Sequence, residues 1–231
     1  MKHILILLLL LSSFAHAERS YVIEKGNLKI HVIEFLKSEN SGFGFIDGKK
    51  KKSYVADVYS EEEHSFIVNG GYFDGNLNPV GVCRIDGVDI SRTKDSKLSG
   101  FFTITEEGEL ELHWKRIPDI EYDDIVQSGP FIIDPGGKIG IRSRSGKEAK
   151  RTIIGQTKDD RVLVITTNEV YLYDLAKILN SEIPDIDRAL NLDGGPSVGI
   201  IYGDIRIQNS NPVRNFLTKR RVNQAGDDNS E

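Results

Sequence analysis

The stretch "RALNLDGGPSVGII", Arg188 to Ile201, sets the reading of this chain. Two apolar runs of strand length flank an aspartate, two glycines and a proline. An Asp-Gly hairpin turn needs only two residues, so the second glycine and Pro196 exceed it. Asp193 stands at a strand end, followed by backbone that lacks side chains and lets a ligand approach closely. The same grammar returns in "SFIVNGGYFD", Ser65 to Asp74, where Asn69 precedes Gly70 and Gly71. In "QSGPFIID", Gln127 to Asp134, Ser128, Gly129 and Pro130 break an apolar run, and in "RTIIG" Arg151 directly precedes one.

Outward from these points the chain is a series of short apolar runs punctuated by Gly, Asn and Asp. They include "LKIHVIEF", "KSYVADVY", "SFIVNGG", "VGVCRIDG", "GFFTI", "ELELHW", "DIVQSGPFII", "KIGIR", "TIIGQ", "RVLVITT", "RALNLD" and "VGIIYG". Their lengths and punctuation predict strands. "ELELHW" alternates and predicts a half-exposed strand, whereas "RVLVITT" is nearly all apolar and predicts a central one. One clear helix is predicted over Tyr171 to Glu182, where Leu172, Leu175, Ala176 and Leu179 recur at helical spacing before Pro184. The preceding "TTNE" is expected to cap it. A second helix is expected around Ser60 to His64.

The first seventeen residues, "MKHILILLLLLSSFAHA", carry a basic start, an Ile/Leu run and Ala15-His16-Ala17. This is the pattern of a signal peptide, with cleavage expected after Ala17 and export to the periplasm or beyond. The apolar run is too short for a span, which needs about 20 residues. A single domain is expected over residues 18–217, with a disordered tail over 218–231 that includes "AGDDNSE". The formal net charge of −5 argues against nucleic acid as a partner. The basic runs "GKKKK" and "KRR" read as solvated turn or tail. The lone cysteine, Cys83, has no disulfide partner and lies in an apolar run, so a buried inert thiol is expected. The histidines, His31, His64 and His113 among them, show no metal-ligand spacing. No metal or cofactor is expected from the sequence, although a divalent cation stays open.

Each glycine element alone reads as an ordinary turn, and Arg151 alone as a solvated cation. Together the four strand ends offer Asn, Ser, Arg and Asp. That set of oxygen ligands, amides and one fixed cation suits a sugar or a phosphate ester.

Five segments, "FIVNGGYFD", "NPVGVCRIDG", "VQSGPFII", "RTIIG" and "LNLDGGPSVGI", occur in the order found in the phosphodiester glycosidase family, which the chain resembles from about Ser53 to Leu217. The resemblance implies an α+β domain with a mixed sheet, few helices and glycine-rich strand ends meeting in one cleft. It also implies hydrolysis of the bond between a sugar's anomeric carbon and a phosphate, in an exported or cell-surface polysaccharide or glycoconjugate. Asn69, Gly70 and Gly71 fall on the family's Asn-Gly-Gly motif, and Arg151 on its arginine before the Ile-Gly strand. Asp193, Gly194, Gly195 and Ser197 fall on its Asp-Gly-Gly-x-Ser motif. Pro196 stands where animal members of the family carry a third glycine.

A glycosyl phosphate has a good leaving group and needs charge neutralisation more than protonation, which an arginine fork supplies. Asp193 is the expected base or nucleophile and Arg151 the expected cation. Asp74 is a second candidate carboxylate, and the N–H groups of Gly70 and Gly194 are candidate phosphate donors. Tyr72, Ser128, Gly129 and Asn191 complete the expected substrate-binding set, and Tyr72, Phe73 and Tyr122 are candidate sugar-stacking aromatics. Two other readings stay open: a two-carboxylate glycoside hydrolase using Asp193 and Asp74, and a non-catalytic polysaccharide-binding protein.

Overall fold

The computed structural model describes residues 18–36, 38, 41–49, 53–115 and 122–221. The expected signal peptide and most of the expected tail lie outside the described residues.

Three antiparallel sheets build the molecule. The first runs β1 (Glu18–Lys25), β2 (Leu28–Phe35), β13 (Val162–Val170), β12 (Ala149–Thr157), β14 (Ile186–Asn191), β10 (Phe131–Asp134), β11 (Lys138–Ile139). The second runs β16 (Ile205–Ile207), β15 (Ile200–Tyr202), β4 (His64–Asn69), β17 (Asn215–Arg220), β3 (Phe43–Asp47). The third runs β6 (Val88–Ser91), β5 (Cys83–Ile85), β9 (Asp124–Ser128), β7 (Gly100–Ile104), β8 (Leu110–Trp114). Among the described residues every strand pairing is antiparallel, so the expected mixed sheet is corrected, and with two α-helices there the α+β label fits loosely: the fold is mostly β.

The apolar code places the layers. One cluster, with Phe35, Phe66, Phe102, Ile154, Leu190 and Leu217, gathers side chains from all three sheets. The opposite face of the first sheet takes α2 (Leu172–Glu182) through Leu175, Ala176 and Leu179. β13 is buried along most of its length and lies inside the sheet, whereas β8 alternates, as the two patterns foretold. Cys83 is 1% exposed in the shared core, and burial pushes its thiol up to about 12.

Several local expectations are corrected. "KSYVADVY" is no strand: Val55 and Val58, three apart, form one turn of helix, α1 (Val55–Val58), buried against Ile67 and Phe216. The expected helix over Ser60 to His64 is a turn closed by His64 N–H donating to Ser60 O at 2.9 Å, after which β4 begins. "TTNE" does not cap α2, because β13 continues through Val170 and pairs there with Ala149. Nor does the domain end at Leu217. β17 continues to Arg220, with Thr218 and Lys219 buried. The Lys219 ammonium sits 5.9 and 5.8 Å from the Phe35 and Phe43 ring centroids and 3.9 Å from the Glu18 carboxylate, so this part of "KRR" is no solvated tail. β2 is the run "LKIHVIEF" as expected, whereas β1, β3, β6, β16 and β17 add strands that the pattern did not single out. Among the described residues no helix is long and apolar enough to cross a membrane.

Candidate active site

The strand ends meet through their polar residues. Asn69, at the end of β4, is fully buried, and its Nδ2 donates to Asp193 O at 2.8 Å. Its Oδ1 accepts from Thr152 Oγ1 at 2.7 Å and from Gly199 N–H at 3.3 Å. Asp193 N–H donates back to Gly70 O at 3.2 Å. Thus β4, β12 and the turn after β14 are clamped around one amide. On the other side, Ser128 Oγ and Gly129 N–H both donate to Asn191 O, at 2.8 and 3.0 Å, joining the end of β9 to the end of β14. The Tyr72 hydroxyl donates to Gly129 O at 3.0 Å and accepts from Asn191 Nδ2.

Asp193 and Arg151 are set within this frame. Burial pushes the Asp193 carboxyl above the ordinary carboxylate range, opposed by hydrogen bonds from Ser197 and from the Gly194 N–H, the latter at 2.9 Å. Gly195–Ser197 form a single 3-10 turn with Pro196 in its first positions, where a missing N–H costs nothing. Arg151 is half-buried, and desolvation lowers its pKa. Nε donates to Val170 O at 3.1 Å and Nη2 to Lys147 O, so carbonyls fix the guanidinium. It forms no ion pair with a carboxylate among the described residues. Nη1 lies 3.9 Å from the position a Cβ on Gly194 would take, which puts the cation against the Asp-Gly-Gly turn. Burial raises the Tyr72 hydroxyl, with the Asp193 charge adding and the Arg151 charge opposing, so all three groups share one neighbourhood.

The two glycine pairs have different causes. A Cβ on Gly70 would lie 1.9 Å from Asn215 Oδ1, and one on Gly71 would lie 2.5 Å from Val126 Cγ1. The protein's own packing therefore excludes side chains at both. Gly194 is closed in by Lys150 O at 2.8 Å, but Gly195 faces open space and takes φ +60. The expected phosphate donors are corrected accordingly. Gly70 N–H donates to Asn215 O at 2.9 Å and Gly194 N–H is used by the Asp193 carboxylate. Gly195 N–H donates to no group among the described residues.

Asp74 is not brought to this set. It is exposed, and its carboxylate closes a turn by accepting from the N–H groups of Asn76 and Asn78 at 2.8 and 2.9 Å, which hold it below its ordinary range. Tyr122 is 1% exposed and donates to Glu111 at 2.8 Å, a core residue rather than a stacking platform. Two residues at the site were not foreseen. Thr152 orients Asn69, and Asn215 Oδ1 accepts from Gly71 N–H at 2.8 Å. Asn215 precedes the apolar "FL" of β17, and a polar residue beside an apolar run is the one signal that marks it. Cavities of about 270 and 530 Å³ elsewhere are lined by Phe45, Asp47, His64 or Arg214, and neither includes Asp193 or Arg151.

A carboxylate held short of solvent and, against the turn that bears it, a guanidinium with carbonyl ligands only make this a candidate site for a polar anionic ligand. The model of the phosphodiester glycosidases matches residues 62–225, and the chain belongs to that family. Comparison with curated proteins gave no match. Among solved structures, the fold is shared with the catalytic domain of zebrafish N-acetylglucosamine-1-phosphodiester alpha-N-acetylglucosaminidase, auto-inhibited by its pro-peptide. The TM-score is 0.68 at 15% identity, covering 91% of this chain and 85% of that one. It is shared also with a hypothetical protein from Synechocystis, TM-score 0.66 at 11% identity, covering 87% of this chain and 61% of that one. A Burkholderia pseudomallei protein described as a "putative exported protein" aligns over 83% of this chain and 74% of its own, at TM-score 0.55 and 10% identity.

Proposed function

We propose that this protein is an exported hydrolase that cleaves the bond between a sugar's anomeric carbon and a phosphate in a glycosyl phosphodiester, in a polysaccharide or glycoconjugate. The observation that carries the reading is the Arg151 guanidinium, held by two carbonyls, without a carboxylate partner among the described residues, and set against the turn that bears Asp193. Nε and Nη2 each hold a carbonyl, which leaves Nη1 and the second Nη2 hydrogen to take up an anion.

The anomeric carbon–oxygen bond breaks and its electron pair leaves with the phosphate, where Arg151 neutralises the charge. Gly195 N–H is the backbone donor available to the same oxygens. Water supplies the new oxygen at the anomeric carbon. Asp193 either takes that water's proton as base or first forms a glycosyl ester that water then hydrolyses. The products are a free sugar and a phosphomonoester. Asn69, Thr152, Tyr72, Ser128 and Asn191 position these groups through the hydrogen bonds that join the strand ends.

The test is a panel of sugar phosphodiesters, exported polymers and aryl glycosides, assayed for free reducing sugar with and without a chelator. Release from phosphodiesters alone supports the proposal. Faster cleavage of an uncharged aryl glycoside than of any phosphodiester refutes it.

A further inference from the structure

The chain's single tryptophan, Trp114, is 43% exposed at the end of β8. Its partner across the ladder is Gly100, whose own partner is Ser128 at the wall of the site. Paired residues share a face, so Trp114 lies on the same face as Ser128, two strands away, about 10 Å at the usual strand spacing. A Cβ on Gly100 would meet Phe131 and Leu190, which shows that this face turns toward β10 and β14. Trp114 thus stands on the rim beside the Gly129–Phe131 turn.

One cation lies on its ring and another contacts the residue that follows it. Lys115 follows β8 at φ +64 and folds its ammonium 4.3 Å from the centre of the indole ring. Lys94 Nζ donates to Lys115 O at 2.9 Å, and Lys97 follows on the same loop. That loop is anchored: Gln127 Oε1 accepts from Asp95 N–H at 2.9 Å, and Gln127 Nε2 donates to Asp95 O and Leu98 O at 2.7 and 3.0 Å. Lys94, Lys97 and Lys115 are exposed and form no ion pair among the described residues. The one carboxylate among them, Asp95, accepts from Lys97 N–H at 2.7 Å. In a chain of net charge −5, the described residues carry a local excess of positive charge here, beside an exposed aromatic.

We infer that Trp114, Lys115 and Lys94 form an outer subsite that binds a second sugar-phosphate unit of a polymeric substrate. The indole stacks on the sugar and the ammonium groups pair with its phosphate. The separation from the site matches a neighbouring repeat rather than the bond being cut. The inference rests on the proposed reaction and adds its substrate class: a phosphodiester-linked chain rather than a small glycosyl phosphate.

The experiment compares kcat/KM on a minimal sugar phosphodiester and on a phosphodiester-linked polysaccharide, for wild type, Trp114→Ala and Lys115→Ala. Direct polymer binding is measured by calorimetry at two salt concentrations. Expected are polymer kcat/KM lower by about tenfold in Trp114→Ala, severalfold in Lys115→Ala, and minimal-substrate values within about twofold of wild type. The Lys115→Ala variant should also lose part of the salt dependence of polymer binding. Unchanged polymer turnover and affinity in both variants, or equal losses on both substrates, overturns the subsite. If wild type cleaves neither substrate, the reaction fails separately, and weakened polymer binding by the variants still decides the subsite. Equal binding of an unrelated polyanion such as RNA overturns it as a sugar-phosphate site.

Discussion

Arg151 and Asp193 carry the chemical proposal, and each makes a measurable demand. Arg151→Lys keeps the charge but loses the fork. It should lower kcat/KM on a sugar phosphodiester by about a hundredfold, roughly 3 kcal/mol, and leave slow aryl-glycoside cleavage nearly unchanged. Asp193→Asn should cost more. A comparable loss from Arg151→Lys on both substrates would make the arginine a structural or sugar-binding residue. With Asp193 as the proposed base or nucleophile, the acid limb of the kcat/KM profile should follow its carboxyl, whose pKa burial raises. Activity should therefore fall, as pH drops, at a pH above the ordinary aspartate value of about 3.9. An acid limb at or below that value would assign the base elsewhere. Both residues stood out in the sequence as polar groups abutting apolar strands. What Asn69 does was not readable there: its amide is spent on Asp193 O, Thr152 and Gly199, partners far away in the chain. Asp74 misled because a carboxylate near Gly-Gly reads alike whether it faces a ligand or closes its own turn.

At the scale of the element, the paired glycines should respond differently to the same change. Gly70→Ala drives a methyl into the Asn215 side chain and should lower Tm by roughly 10 °C. Removing that side chain as well, with Asn215→Ala, should recover part of the loss. Gly195→Ala meets open space and only the backbone penalty of φ +60, about 1–2 kcal/mol, so Tm should fall by only a few degrees. Thermal melts of the three variants settle this, and a Gly70→Ala protein as stable as wild type would contradict the packing argument. A strand opened by a continuous apolar run, β13, and the helix α2 were legible because their pattern is local. β1 and β3 were not, since "ERSYVIEK" and "FGFID" take their strand state from ladder partners: β1 from Phe35 to Leu28, β3 from β17. The antiparallel order could not be read from the runs, because strand length and composition do not encode the neighbour.

For the molecule as a whole, Asp124 joins two sheets. Its carboxylate accepts from Phe45 N–H at 3.0 Å and Asp86 N–H at 2.8 Å, and burial raises it to about 6. The folded pKa exceeds the unfolded one, so the fold binds this proton more tightly than the open chain does. The contribution to stability is present below about pH 4 and is lost as pH rises through about 6, on the order of 3 kcal/mol. Asp124→Asn removes that dependence, so the Tm of the variant relative to wild type should climb between pH 4 and 7. A flat difference would mean the carboxyl titrates normally. Cys83 offers a probe of global opening: its thiol should react with a disulfide reagent only as the chain unfolds, and Cys83→Ser should keep most turnover. Labelling far faster than unfolding would place the thiol in a mobile region.

The clash that Gly70 would make with Asn215 bears on how the family's signature is used to sort genomes. The Asn-Gly-Gly triplet is demanded by internal fit, so a lineage that abandons hydrolysis still has to keep it in order to fold. That triplet marks ancestry and shape. On the proposed reaction, descendants that remain enzymes are better picked out by the guanidinium of Arg151 together with the carboxylate of Asp193.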